Sequence, residues 1–297
     1  MISKLLAGFA FVCFATSASA GPPPSMTPSQ MIDSTFSGYF SVHGGLDAGR
    51  EDYLSPTSVS QWNDPVFGGA ARGVVTVEPG FTIQGDVWTN IYDGHDPSNT
   101  SNTWTNNYPG AGVHATWTLQ NGDSVGVLGS LGAYSYSSPS LSHTSTFANV
   151  GAEGVHNDGN WRWYGQVGMT NAIAGFAQTS SQHDVYAALD AMYFFDPNLV
   201  VSANVRGSYL TETGHTSPEL AWGARLEYKP EGSPVSLYAQ YQGWGWQDNY
   251  KSGETGKAIE GAILVGLRVP FGQTTVQDLD KTVGLVDMNS LFGDFAP

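Results

Sequence analysis

The sequence predicts an all-β fold: an antiparallel up-and-down transmembrane β-barrel of about twelve strands, with short periplasmic turns and long extracellular loops. Three observations predict it. Between Phe36 and Phe271, apolar and polar residues alternate for roughly ten positions at a time, the period of two that belongs to strands. The breaks between these stretches alternate between tight turns and longer polar segments, as in barrels with turns on one side of a membrane and loops on the other. When each register is set from apolar residues alone, every charged residue inside a strand falls on the opposite row.

Taken in order, residues 1–20 read as an export signal. Lys4 gives the positive start, Leu5 to Phe14 the apolar stretch, and Ala18-Ser19-Ala20 a small-residue cleavage site. That apolar stretch is too short to cross a bilayer as a helix. The single cysteine, Cys13, lies inside it, so the exported chain is expected to carry no thiol, disulfide or cysteine metal site. Residues 21–35 form a periplasmic leader. Within it, Thr27-Pro28-Ser29-Gln30 fits either a capped helix start or a disordered arm.

The barrel is expected over 36–271, with strands at 36–46, 71–77, 81–91, 111–119, 124–134, 147–155, 161–170, 183–193, 199–210, 220–228, 235–243 and 259–271. Tight turns rich in Gly, Pro, Asn and Asp fall at 78–80, 120–123, 156–160, 194–198 and 229–234. Longer polar segments fall near 47–70, 92–110, 135–146, 171–182, 211–219 and 244–258. An even number of strands puts both termini on the periplasmic side.

A Lys or Arg facing lipid at the midplane costs about 2 to 4 kcal/mol, so a membrane barrel must sort its charges to one face. A soluble sandwich also alternates, but it buries the apolar row and exposes the charged one. The loop asymmetry, the strand lengths and the aromatic strand ends select the barrel. Those ends are Phe36, Phe81, Trp117, Trp161, Tyr193, Tyr228 and Phe271, all on outward rows, and they fit a girdle at headgroup level.

Composition narrows the function. The net charge of −15 leaves too few cations to hold nucleic acid. Nine Trp and fourteen Tyr, with only 12% charged residues, do not describe a disordered acidic chain. Beyond the leader no apolar run is long enough for a membrane helix.

In the last strand, the stretch LVGLRVPF with Gly266, Val269 and Phe271 resembles the terminal-strand signal of Gram-negative outer-membrane β-barrel proteins. The resemblance implies residence in the outer membrane, contact with its lipids and lipopolysaccharide, and assembly by the barrel-insertion machinery. In most members the aromatic is the final residue, whereas here a periplasmic tail, 272–297, follows. In that tail Val276, Leu279, Val283 and Val286 have helical spacing that suits docking at the periplasmic mouth. Gly284 and the closing Gly-Asp-Phe-Ala-Pro point instead to partial disorder.

The candidate functional residues are the inward charges Asp86, Glu153, Arg162, Asp190, Arg206, Arg225, Glu227 and Arg268. Opposite signs at one level either cross-link and fill a lumen or ring a polar constriction, and twelve strands lie between filled and open barrels. Inward small and polar residues such as Gly126, Ser130, Ser202, Asn204 and Gln240 favour a narrow wet lumen. The expectation is therefore a monomeric passive pore for small polar solutes. Its outer segments and rims carry Asp47, Glu51, Asp52, Asp64, Asp93, Asp96, Glu212, Glu219, Asp248 and Glu254 against Arg50, Lys251 and Lys257, which implies weak cation preference.

One alternative is a non-conducting barrel whose long loops bind a partner or ligand. Another is a lipid-modifying hydrolase, which needs a Ser and a His together on the lipid-facing wall, yet no His falls on an outward row. Asp93, His95 and Asp96 form the one metal-like trio, and no cofactor is expected.

Overall fold

The computed structural model describes residues 36–52, 59–96, 99–175, 182–253 and 255–283. The expected signal (1–20), residues 21–35 and the tail beyond 283, including Val286, lie outside them. The described residues form β1 (Ser37–Asp52), β2 (Val59–Glu78), β3 (Phe81–Asp96), β4 (Asn99–Asn107), β5 (Gly110–Thr118), β6 (Ser124–Ser137), β7 (Ser142–Asp158), β8 (Trp161–Gly175), β9 (His183–Asp196), β10 (Leu199–Glu212), β11 (His215–Tyr228), β12 (Ser236–Tyr250), β13 (Thr255–Phe271) and α1 (Val276–Val283).

All pairings are antiparallel and join sequence neighbours except at β4 and β5, and β1 pairs with β13 from Gly38↔Phe271 to Asp52↔Lys257, which closes the sheet on itself. Thirteen strands make twelve staves because β4 and β5 share one: both pair with β3 on one side and with β6 on the other. Pro109, which has no N–H to donate, interrupts this stave. The wall is still sealed there, since Tyr108 N donates to Asn90 O at 2.8 Å and Ala133 N to Pro109 O at 2.9 Å.

The strands run further than the sequence pattern implied. β2 has 20 residues and β7 and β13 have 17 each, against the about nine to eleven needed to cross a bilayer. Much of what reads as long loops is therefore strand, including all of β4, whose sequence NTSNTWTNN has no outward apolar row. The physical reason is that alternation is imposed by lipid. Where a ladder continues past the membrane its backbone bonds persist, but its outward residues need no longer be apolar. The end of the barrel where β1 begins and β13 finishes is the lower end below.

The outer wall is apolar. Ile263 is 64% exposed, Val265 61% and Phe40 59%, and the same rows of every stave carry Val, Ile, Leu and aromatics. A continuous apolar surface of this extent is stable only against lipid. Around the lower end the expected aromatics pair across neighbouring staves: Phe36 with Phe271 (ring centroids 5.2 Å), Phe81 with Trp117 (5.1 Å) and Trp161 with Tyr193 (4.9 Å). Such paired rings form a belt suited to the headgroup region.

Many of the 37 glycines have a packing role. At six cross-strand pairs an aromatic ring lies over the glycine directly opposite it: Trp62 over Gly49, Trp104 over Gly94, Trp88 over Gly110, Tyr186 over Gly168, Trp222 over Gly243 and Tyr238 over Gly266. A Cβ at any of these glycines would run into the ring. Large and small residues thus alternate across the ladders, the cross-strand complementarity that fixes register.

Candidate functional site: the lumen

The inner face carries buried charges along its length, most densely toward the lower end, with tyrosines among them. All eight candidate charges project inward, as their register demands. Their burial is the informative quantity: Asp86 is 6% exposed, Glu153 5%, Arg162 2%, Asp190 4%, Arg206 3%, Glu227 1% and Arg268 4%. Only Arg225, whose side chain is 25% exposed, is less covered. Residues bounding an open, water-filled path would be far more accessible. These side chains pack the lumen rather than surround a passage.

They do so through two linked networks. In the first, Arg72 Nε donates to Asp86 Oδ1 at 2.5 Å, and His114 bridges the two carboxylates, with Nε2 2.9 Å from Asp86 Oδ2 and Nδ1 2.9 Å from Glu153 Oε2. Tyr164 Oη donates to Glu153 Oε2 at 2.8 Å, and Gln166 Nε2 donates to Tyr164 Oη at 2.8 Å. One chain of charge-assisted bonds therefore crosses β2, β3, β5, β7 and β8. In the second, Glu227 accepts from Arg225 Nη2 at 2.6 Å, Arg268 Nε at 2.7 Å and Ser236 Oγ at 2.5 Å. Arg225 lies over the Tyr238 ring at 3.9 Å, and Arg268 and Arg72 flank Tyr39 at 4.9 and 5.4 Å. Buried charges need such pairing, because the low-dielectric interior penalises an uncompensated ion heavily.

Higher in the barrel Arg206 donates to Asp184 and lies 3.9 Å from Glu219. Glu219, expected at an exposed rim, instead points inward from β11 and accepts from Ser208 Oγ at 3.0 Å. Asp47 and Asp64 likewise lie opposite each other on β1 and β2 at 1% and 3% exposure, with Trp62 Nε1 donating to Asp47 Oδ2 at 3.0 Å. Beside these, level with Asp47 and Asp64 or just below them on β2 and β13, lies an apolar cluster of Val66, Tyr92, Tyr108, Tyr134, Phe147, Ala262 and Leu264. A cavity with room for about 40 Å³ lies between Trp88, Tyr108, Pro109, Tyr134 and Phe147. Another, of about 20 Å³, lies between Asp47, Tyr92, Trp244 and Glu260. Each holds one to about three waters, not a solute.

The lower mouth is crossed by α1. Val276 and Leu279 are each 1% exposed. Val276 packs with Met192, Phe194 and Val200, and Leu279 with Val74 and Tyr39, so the helix reaches from β9 and β10 to β1 and β2 on the far side of the barrel. Thr275 caps it, its Oγ1 accepting from Asp278 N at 3.0 Å, as a helix N-terminus requires. Asp280 takes a bond from Arg268 Nη1 at 2.8 Å, Lys229 Nζ donates to Thr274 O at 2.8 Å, and Gln277 N to Pro197 O at 2.9 Å.

His114 and Asp280 are the functional residues that sequence reasoning did not assign. His114 was legible as inward, but its two carboxylates come from strands 28 and 39 residues away. Asp280 was legible as part of a helical pattern, but its partner was not. Elsewhere His43 bonds Asn90 and Tyr238, His156 bonds Asp123, and His215 lies 3.6 Å from Glu212 and 3.9 Å from Asp248. Of the metal-like trio, the side chains of His95 and Asp96 lie outside those described.

No protein-family model matches the chain, and no curated protein matches it. Among solved structures it is similar to the translocator domain of the autotransporter NalP from Neisseria meningitidis (12% identity, TM-score 0.49, 79% of this chain and 88% of that one). It is similar also to the Pseudomonas putida toluene transporter TodX (8%, 0.46, 82% and 90%) and to OmpT, an outer membrane protein of Vibrio cholerae (12%, 0.40, 79% and 99%). Likenesses this distant say nothing of function. The reading of the chain as an outer-membrane β-barrel rests on its own closed wall, apolar exterior and aromatic belt.

Proposed function

Starting from an outer-membrane β-barrel whose inner charges are cross-linked, we propose that this protein is closed to solutes in the state described and acts through its upper end. There the strands outrun the bilayer and form a rim outside the cell that binds a partner or ligand. The lower end, with α1, then faces the periplasm, and lipids and lipopolysaccharide surround the wall. The observation that carries this reading is the burial of Asp86, Glu153, Arg162, Asp190, Arg206, Glu227 and Arg268 at 1–6% exposure.

A second reading, a pore for small polar solutes with weak cation preference, is favoured by α1, which covers the lower mouth without belonging to the wall and could uncover it. Planar-bilayer recording separates the two. The refolded full chain is expected to give no conductance steps, at low or high salt. Stable channels whose reversal potential in a salt gradient favours cations would replace the first reading with the second.

A further inference from the structure

Arg162 is the anomalous charge of the lumen. It stands one residue above the turn into β8, is 2% exposed, and its Nε and Nη1 have no hydrogen-bond partner among the described residues. Natural proteins rarely bury guanidinium nitrogens this way without something to receive their protons. Arg268 Nη2 and Arg225 Nε likewise have no partner among the described residues. Three arginines on neighbouring or facing staves of the lower lumen therefore hold donors in reserve.

The charge inventory at this level is uneven. The wall supplies Arg72, Arg162, Arg225, Arg268 and the ring of His114 against the carboxylates Asp86, Glu153, Asp190 and Glu227. Asp86 and Glu153 are committed to Arg72 and His114, and Glu227 to Arg225 and Arg268. Asp190 is the wall carboxylate left near Arg162, two residues along β9 from Met192, which lies opposite Arg162; no ion pair joins the two, and Asp190 Oδ1 has no partner among the described residues. The remaining acid is Asp280, which comes from α1. It accepts from Arg268 Nη1 at 2.8 Å.

Asp280 thus occupies on Arg268 the position a ligand carboxylate would take, and Arg162 stands in the same floor: it lies opposite Met192 on β9, which packs against Val276, one helical turn before Asp280. The planar fork of arginine matches the oxygens of carboxylate and phosphate, which makes the position selective for oxyanions. The element that delivers Asp280 is separable from the barrel. α1 has eight residues, too few to be stable as a free helix, and the β1–β13 seam is complete without it. Lys229, at the lower rim, is bonded to the backbone just before α1 and would be released toward the same mouth.

We propose that Arg162 and Arg268 form an oxyanion-binding site in the floor of the lumen, which the chain fills with its own Asp280 and which takes a small oxyanion when α1 withdraws. The site goes beyond the closed-barrel reading and does not depend on whether the barrel conducts.

The test uses the refolded full chain and inorganic phosphate, with chloride at matched ionic strength as the control. In the wild type, phosphate competes with Asp280, so backbone amide exchange over 276–283 is expected to quicken with phosphate and not with chloride. Asp280→Asn is expected to bind phosphate at least tenfold more tightly than wild type by calorimetry. Adding Arg162→Gln to that variant is expected to remove the gain. Phosphate binding that is the same with and without Arg162 would overturn the proposal, as would wild-type exchange that ignores phosphate. Should Asp280→Asn fail to refold, judged by its gel shift on boiling, the wild-type exchange result decides alone.

Discussion

Tyr238 lies directly opposite Gly266 across the β12–β13 ladder, and its ring occupies the space that a Cβ at that glycine would need. The same pairing recurs at five other places around the wall. Gly266→Val is therefore expected to destabilise the refolded barrel by about 1 to 3 kcal/mol, the usual cost of forcing atoms into a packed site. Tyr238→Ala should relieve part of that cost when combined with it. Urea titrations of the two single variants and the double variant measure the coupling, and strictly additive effects would remove the glycine's assigned role.

His114 bridges Asp86 and Glu153. His114→Ala leaves two buried carboxylates facing a void, and breaking a buried ionic network by removing one partner costs about 3 to 5 kcal/mol. The expected result is a large fall in the urea midpoint. His114→Gln, which keeps a donor for one carboxylate, should fall between Ala and wild type. Equal stability for all three would mean that the network contributes nothing.

The outward row can be tested by charge. Ile263, 64% exposed and near the middle of β13, should tolerate arginine poorly in a bilayer: Ile263→Arg is expected to cost about 2 to 4 kcal/mol. Ser252→Arg, at the upper turn between β12 and β13, is expected to cost close to nothing. Comparable small effects at both positions, measured by refolding into lipid vesicles, would mean that β13 does not face hydrocarbon.

Cysteines report the interior. In a Cys13→Ser background, Ser202→Cys and Gln240→Cys replace residues that are each 8% exposed on the inner face. They are expected to resist a charged thiol reagent in the folded protein and to react on unfolding. Rapid labelling in the folded state would mean that the lumen is wet.

What the sequence made legible follows from where lipid acts. The twelve staves, their inward charges and their aromatic lower ends were readable because a misplaced polar residue against hydrocarbon is costly, so the alternation is nearly strict. β4 and the upper half of β2 were not readable as strands. Asn99 to Asn107 and Val59 to Asp64 continue the ladder where no lipid enforces a pattern, whereas Pro65 to Ala70, opposite the outward Val42 and Leu46, were hidden by Pro65, Gly68 and Gly69, which leave Phe67 as their one large outward residue. The state of the lumen was not readable either. Whether Asp86, Glu153 and Glu227 bound a channel or neutralise Arg72, His114 and Arg268 depends on side-chain reach across the barrel, which a one-dimensional pattern does not contain. Asp280 is the clearest case. It lies 12 residues from Arg268 in sequence, yet only the return of the tail into the mouth brings the two together.

The seam between β1 and β13 sets a condition on how the protein is made. Gly38 meets Gly73 of β2 early, but its partner on the other side is Phe271, almost the whole length of the barrel later, so the wall cannot close until the final strand has emerged and been placed. Until then both flanking staves present unsatisfied edges and the intervening chain exposes its apolar rows. Contacts so distant in sequence form slowly, since the entropy of the loop must be surrendered before the pairing rewards it. Assembly is therefore a race between ring closure and aggregation, and its outcome turns on the arrival of the last strand of the wall.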